Sequence, residues 1–522
     1  MSAHTSTIED RTQLDRSSQR KVLLAMITGL VAVVATMSGL NVAQQQMALE
    51  LGASQGGVLW IINSYTLVLA ALLLPAGAIG DRWGRKSILI TGLAVFGLST
   101  IAALFANSVA TMIVARGAAG IGAAMIMPST LSIITSSFPA EDRGRAIGVW
   151  AGFAGAGGMI GLFASSVMID VLSWRWVFAL PLGLVAVSLL SSARSAPNSR
   201  EVKEHPFDIV GSVLATFVIG GLVLGVHEGP DKGWTYWLTL VGLVVSACAT
   251  IAFIWWERRH PDPLLDISAF ADRGLAAGTV TMLIMFGVMF GIFVVLFPFF
   301  QAVLGWSALR SATAMLPMAL AMLPLSTVSP LLAQKYGKRP VMLTGVSIFA
   351  AGLLIMALTA SVERGYWSVL PGLLLIGIGM GLTMTPSTEV ITETLPDDKQ
   401  GVASAINDTS RELGGAIGVA LLGSVLSAGY RSAIEPSLTG VPDDLARTAA
   451  EGIGSAYGAA ANAGESAPVI IEAAKQAFVD GWVGSMWLGV AMAAVALVFL
   501  IVRGPRVSEP PVDDNDRELI DA

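Results

Sequence analysis

Charge is what this chain has least of. Asp, Glu, Lys and Arg make up 13% of its 522 residues, about half the share of a soluble domain. Cysteine is nearly absent: Cys248 stands alone, which excludes an intrachain disulfide. The four histidines, His4, His205, His227 and His260, fall near ends or loops without metal-ligand spacing, so no metal site is expected. No GxxxxGK[ST] loop occurs, so ATP-driven pumping would need a separate subunit. No filter repeat of a channel and no convergent acid–base constellation of an enzyme is evident. Neither a cofactor nor a nucleic-acid partner is expected.

What is present is apolar length. Hydrophobic residues reach 54% and mean hydropathy is +0.71, too much apolar material for the polar residues to cover in water. The runs have the ~20 residues that a helix needs to cross ~30 Å of hydrocarbon. They predict fourteen spans: 22–41, 57–78, 88–106, 110–132, 146–169, 174–192, 208–226, 236–256, 274–303, 310–333, 341–360, 368–391, 401–427 and 481–502. They are too long for spanning strands and do not alternate. The fold class is therefore an all-α integral membrane protein. Threading the chain through these spans places 22 Lys and Arg on one face and 7 on the other, with Arg116 and Arg411 left inside. That bias puts both termini in the cytoplasm. The arm 1–21 is read as cytoplasmic and the acidic, proline-containing tail 503–522 as disordered.

The connection 428–480 is placed outside. Its last part, APVIIEAAKQAFVDGW, carries apolar residues at helical spacing and is expected to lie along the surface before the final span. Trp174, Trp176, Trp234, Trp237, Trp367 and Trp482 fall near span ends and read as interface anchors.

GAIGDRWGRK, residues 77–86, packs four charged side chains into six positions between two apolar runs. DRWGRKS at 81–87 is echoed by QKYGKRP at 334–340, 253 residues later, each copy after an even-numbered span. Parallel halves of a transporter would produce this. The halves are then 22–192 and 274–502, with 208–256 an inserted hairpin behind the linker 193–207. In the first turn, Asp81 is expected to face the N-terminus of the helix that follows it. Gly84 relieves a tight reversal, and Arg82, Arg85 and Lys86 anchor to anionic lipid or reach acidic groups. With Gly77, the turn is either a joint held and released as helices shift or a static anchor. Lys335, Gly337, Lys338 and Arg339 form its second-half counterpart.

Ionisable groups within hydrocarbon are costly and normally have a task. Asp408, Arg411 and Glu412 share one face of span 13, about 10–15 Å deep at 1.5 Å per residue. They are a site for taking up and releasing a proton, or an ion cluster that fixes helix packing. Glu389 in span 12 could meet a cation or proton at the inner mouth, or snorkel to the headgroups; Pro386 removes one backbone bond from its helix. Span 5 carries Gly148, Gly152, Gly155, Gly157, Gly158 and Gly161, which allow close helix approach whether or not anything slides. Gly377, Gly379 and Gly381 with Gly414, Gly415 and Gly418 suggest a similar contact between spans 12 and 13.

GxxxDRxGRK between spans 2 and 3 resembles the signature loop of the major facilitator superfamily. RGAAGIGAAMIMPSTLS around Arg116 is similar to its fourth-span motif, and FPAEDRGRAIGVW followed by WRWVF adds to the likeness. Fourteen spans and SAINDTSRELGGAIGVALLGSVL at 404–426 resemble its drug:proton antiporter branch. The resemblance implies two pseudo-symmetric six-helix bundles and proton-driven export of amphiphilic or cationic compounds. Its partners would be protons, a hydrophobic or amphiphilic small molecule and membrane lipids, and the protein a monomer. It also implies a role for Arg116 in proton handling.

This chain departs from the branch where an acid is usual. ATMSGLNVAQQQ places Thr36 at the span-1 aspartate position and retains Asn41; WIINSY gives Asn63 in place of aspartate, with Tyr65 beyond it. Neither Thr36 nor Asn63 can titrate. Coupling has then either moved to Asp408, Glu412 and Glu389, or the cargo is neutral, anionic or lipid-like. A sensor that kept the fold without transport is a third possibility.

Overall fold

In hydrocarbon every backbone N–H and C=O must find its partner within the chain, and a long apolar run does so by coiling into a helix. The computed structural model describes residues 15–197, 207–396 and 399–505. Among them, fourteen helices are long and apolar enough to cross a membrane, and no strand occurs. The residues 1–14, 198–206 and 506–522, from the expected arm, linker and tail, lie outside the described set.

The first nine spans are α1 (Arg16–Leu51), α2 (Gln55–Trp83), α3 (Arg85–Leu104), α4 (Val109–Ser137), α5 (Ala140–Val171), α6 (Ala179–Ser195), α7 (Ile209–Lys232), α8 (Trp237–Glu257) and α9 (Arg273–Pro298). The tenth is divided at Met315 into α10 (Ala308–Ala314) and α11 (Leu316–Tyr336). Then come α12 (Lys338–Thr359), α13 (Leu370–Thr394) and α14 (Gln400–Ile434). Two short helices, α15 (Asp443–Ala450) and α16 (Ile453–Ala460), lead to α17 (Ala467–Arg503).

Local chemistry sets the ends. Asp15 accepts the Ser17 and Ser18 N–H groups at the start of α1, and Ser108 with Thr111 closes a capping box on α4. The two echoed turns have one geometry: Gly84 at φ 108° and Gly337 at φ 89° each separate two helices by a single residue. That backbone conformation is open to glycine and strained for other residues. At the other terminus, Arg273 and Arg339 donate to the Val502 and Ile501 carbonyls at the end of α17, where cations suit the helix dipole.

α1 packs on α4, α5 and α6, and α4 on α2 and α3; α14 packs on α9 and α17, and α13 on α11 and α12. These two groups meet where α2 and α4 face α14 and where α5 faces α11 and α13. α7 and α8 pair with one another, and α7 rests on α2 and α14.

Three expectations need correction. First, residues 467–480 do not lie along the surface as a separate element: they are the first turns of α17. Ile470, Ala474, Ala477 and Phe478 are buried, because the chain before them folds over that end. Tyr430 donates to the Ala449 carbonyl at 2.9 Å and Tyr457 to the Ala302 carbonyl. Second, Trp482 and Trp174 are not interface anchors. Trp482 sits edge-on to Phe299 with centroids 4.6 Å apart, and the Trp174 indole donates to Glu50; both are buried. Trp176, Trp234, Trp237 and Trp367 are exposed. Third, the glycines of spans 12 and 13 do not face one another. A Cβ at Gly381 would lie 2.5 Å from the Met322 carbonyl oxygen of α11, and one at Gly379 2.6 Å from the Gly345 oxygen of α12. Gly414 and Gly418 instead press on Leu283 and Gly287 of α9.

Candidate functional site

The turn after α2 is a lock between distant segments. Asp81 is buried and belongs to the last turn of α2. Its carboxylate does not cap α3, the helix that follows; it caps α14, accepting the Gly401 N–H at 2.8 Å and the Val402 N–H at 3.1 Å. Those first-turn amides have no partners within α14 and favour an anion. Arg85 is not a lipid anchor: it is buried and donates to Asp81 from Nε at 3.0 Å and Nη2 at 2.8 Å. Gly77 permits the approach, since a Cβ there would overlap the Gly401 carbonyl. Arg82 and Lys86 are half-exposed.

The echoed turn makes a different contact. It has Gln334 where the first has Asp81, and Lys338 lies 3.8 Å from Glu389 and closer still to Glu393. Glu389 is buried beside α5, where any side chain at Gly144 would strike its Oε1 and meet Pro330 at 3.2 Å. α13 runs unbroken through Pro386. Lys335 is exposed, its Nζ 5.1 Å from the Tyr336 ring centroid. Asp81 thus bonds across the two helix groups, whereas Lys338 and Glu389 pair within one of them.

Deeper in, Asp408 is wholly buried. Its Oδ1 accepts the Asn407 amide at 3.3 Å and Arg411 Nη1 at 3.4 Å, while Oδ2 has no hydrogen-bond partner among the described residues. Arg411 also reaches off its own helix. Its Nη2 donates to the Ala154 carbonyl of α5 at 3.4 Å, and its guanidinium lies 4.6 Å from the Phe286 ring centroid and 5.7 Å from that of Trp150. Planar delocalised charge suits such aromatic faces. Glu412 is half-buried, within electrostatic reach of Arg411 and Tyr65.

Arg116 is buried on α4 and finds the face of Tyr65 at 4.3 Å. Its Nε and Nη2 have no hydrogen-bond partner among the described residues. Tyr65 is itself buried and donates to the Val33 carbonyl at 3.1 Å, so its hydroxyl is spent. So is that of Thr36, which bonds back to Ala32 at 2.7 Å. Asn63 is half-buried and its backbone carbonyl accepts from the Thr66 hydroxyl; the side chain of Asn41 lies outside the described set. The span-5 glycines divide between two neighbours. Gly148, Gly152 and Gly155 face Ser326, Leu323 and Met322 of α11, and Gly157, Gly158 and Gly161 face α1.

Sequence reasoning missed Asn407 and Trp150 around the Asp408–Arg411 pair. It also missed Glu50, which binds Trp174 and Arg175 at the far end. Asn407 sits beside a residue already singled out and accepts from Thr388 at 3.0 Å; Glu50 is a lone acid at the end of an apolar run. Among the described residues no cluster of three His, Cys, Asp or Glu could hold a metal.

Helices of spanning length, a paired glycine turn and ionic groups buried between two helix groups define a membrane transporter. The Major Facilitator Superfamily profile matches residues 24–419, and the chain belongs to that family. It is 32% identical over 432 residues to the multidrug resistance protein Stp of Mycobacterium tuberculosis, covering 82% of this chain and 80% of that one. It is 31% identical to the tetracenomycin C resistance and export protein of Streptomyces glaucescens, over 78% of this chain and 76% of that one. To the multidrug efflux pump LfrA of Mycolicibacterium smegmatis it is 29% identical, over 91% and 95%. The solved structure of the proton:xylose symporter XylE superposes with a TM-score of 0.62, covering 94% of this chain and 97% of that one at 14% identity, a likeness of fold. The chain is a multi-pass secondary transporter of the multidrug-efflux type, not an enzyme.

Proposed function

We propose that this protein exports hydrophobic or amphiphilic compounds in exchange for protons by alternating access. The moving parts are two six-helix groups, 22–192 and 274–502, with 208–256 an inserted hairpin. Both termini are cytoplasmic, following the bias of 22 basic residues against 7. The protein works as a monomer among membrane lipids. The relatives named for multidrug resistance and for tetracenomycin C export support the substrate class.

One observation carries the reading. Arg411 joins Asp408 on α14 to the Ala154 carbonyl on α5, so the ion pair, which lies within α14, is tied through Arg411 to the other group. Protonating Asp408 would weaken its hold on Arg411 and with it the tie to α5, which couples the proton to the movement. Glu389, Glu412 and Arg116 assist, and the Asp81 lock holds the cytoplasmic end closed in this conformation. Thr36 and Asn63 leave the N-terminal group without the two acids usual in the branch, so coupling rests on the C-terminal group.

Everted vesicles with an imposed pH gradient test this. Gradient-driven flux should be lost in Asp408→Asn and reduced in Glu389→Gln. Full flux in both would refute proton coupling through these acids. A second reading, a lipid-like cargo with altered coupling, is favoured by one feature. An apolar cavity of about 210 Å³ opens between Ala215, Ile219 and Phe253 of α7 and α8 and Leu283, Ile406 and Leu413 of α9 and α14. Flux indifferent to pH but competed by lipid would select that reading.

A further inference from the structure

The α7–α8 pair brings two carboxylates together at the Asp81 end of the bundle. Asp208 caps α7 and Glu257 is the last residue of α8; they are 5% and 4% exposed. Asp208 Oδ1 accepts the Gly211 N–H at 2.7 Å and the Trp256 indole at 2.9 Å, and Oδ2 faces the Leu264 N–H at 3.4 Å. Glu257 Oε2 accepts the Leu265 N–H at 3.1 Å. Among the described residues Glu257 Oε1 has no donor. It points where Asp208 Oδ2 points, since each of those oxygens would overlap a Cβ at Gly211.

Several charged groups surround the pair, and Lys399 also acts on Glu257 electrostatically. From α14, Lys399 lies 3.8 Å from Asp262. From the connection after α8, Arg259 lies over Trp255 at 4.3 Å, and His260 stacks on Trp256 with Nδ1 2.8 Å from the Asp262 carbonyl. Arg258 is exposed there, and Asp266 is bonded to Ser268. From α2, Asp81 is held by Arg85, and Arg82 lines a small cavity with Asp208, Asp262, Leu264 and Lys399. That cavity, about 40 Å³, has room for water. Two facing carboxylate oxygens repel when both are charged; a proton on one turns the repulsion into a strong O–H···O bond.

We propose that Asp208 and Glu257 hold one proton between their facing oxygens, a proton-binding site on the α7–α8 pair apart from Asp408, Glu412 and Glu389. Hydronium in the cavity delivers the proton through Asp208, which lines it: one hydronium O–H bond breaks as an O–H bond forms on the carboxylate pair, leaving water, and release runs the same exchange in reverse. Once it leaves, the two charged carboxylates repel and move apart, carrying with them the Leu264 and Leu265 N–H groups that they hold. Asp262 and its partner Lys399 follow; Lys399 immediately precedes α14, whose first amides hold Asp81. The site therefore reports pH to the lock between α2 and α14.

Infrared difference spectra of the purified full-length protein against Glu257→Gln test the proposal. At neutral pH the wild type should show the C=O stretch of a protonated carboxyl, shifted in D₂O and missing from the variant. A difference containing only carboxylate bands would overturn it. The pH dependence of Tm is a second readout. A folded state that binds the extra proton loses stability as pH rises through neutral. Glu257→Gln should flatten that slope, and an unchanged slope would overturn the proposal. If Glu257→Gln fails to fold, Asp208→Asn, whose amide can donate to Glu257, is read in the same two ways.

Discussion

The Asp81 carboxylate accepts the Gly401 N–H at 2.8 Å across 320 residues of chain. An acid at the end of one helix thereby neutralises the start of another, and the contact lasts only while the two helix ends stay together. Separating them exposes a buried carboxylate and two amides at once, so the lock opens as a unit. Arg85 adds a salt bridge at 2.8 Å on the same oxygen, which keeps Asp81 aimed when the amides leave.

Asp81→Asn keeps the shape and removes the charge. Hydrogen bonds to charged groups contribute roughly 1.5–3 kcal/mol, and the asparagine oxygen retains part of that. The closed end should lose about 1.4 kcal/mol, a tenfold shift in population. A cysteine at Val402 in a Cys248→Ser background should then react with a thiol reagent about tenfold faster. Export should fall while abundance is kept. Equal labelling and equal export would make the turn a static anchor.

Two glycines of α14 separate packing from propensity. A Cβ at Gly418 would run into the Gly287 backbone of α9, whereas one at Gly423 meets nothing within 4 Å. Gly418→Ala must push two helices apart, at a cost of about 1–3 kcal/mol for overpacking. Gly423→Ala gains up to ~1 kcal/mol of helix propensity. Thermal unfolding in detergent should show Tm falling in the first variant and steady or rising in the second. Equal Tm values would mean that α9 and α14 are not closely packed.

Hydropathy revealed the fourteen spans because the requirement it reads is local: every run must satisfy its own backbone. It could not see where a helix ends once packing replaces lipid. α14 continues to Ile434 and α17 begins at Ala467, beyond the apolar runs, since folded chain covers those turns. Asp81 was legible as a capping acid, but not the helix it caps, because Gly401 is adjacent only in three dimensions. Trp174 and Trp482 read as interface residues for the same reason: Glu50 and Phe299, their neighbours, are far away in sequence. Asp408 and Arg411 were legible as a pair from helical spacing alone. That Arg411 also reaches Ala154 required the fold.

Glu50 gives the far end of the molecule a pH dependence of definite sign. Bonds from Arg175 and Trp174 hold its carboxyl below the ordinary carboxylate range. Its stabilisation is present above the unfolded value of about 4.3 and lost as pH falls through the lower folded value. Between pH 6 and pH 3, Tm should drop more steeply in wild type than in Glu50→Gln, with the variant less stable at neutral pH. Parallel curves would show that the Glu50–Arg175 contact contributes nothing.

Asn63 tests whether the missing acids set the cargo. It is half-buried on α2, two residues from Tyr65, whose ring lies beneath the Arg116 guanidinium. An aspartate at 63 would put a negative charge on a different face of α2 from Tyr65, in the group that lacks the two acids usual in the branch. If it stays accessible to the cargo, an organic cation should bind up to about fivefold tighter, the ~1 kcal/mol ceiling of a solvated ion pair. A neutral analogue of the same shape should not respond. Fluorescence titration of Asn63→Asp with a cationic dye and its neutral counterpart distinguishes the outcomes. Equal affinity for the cation in both proteins would mean that cargo never reaches position 63, which places recognition with the C-terminal acids.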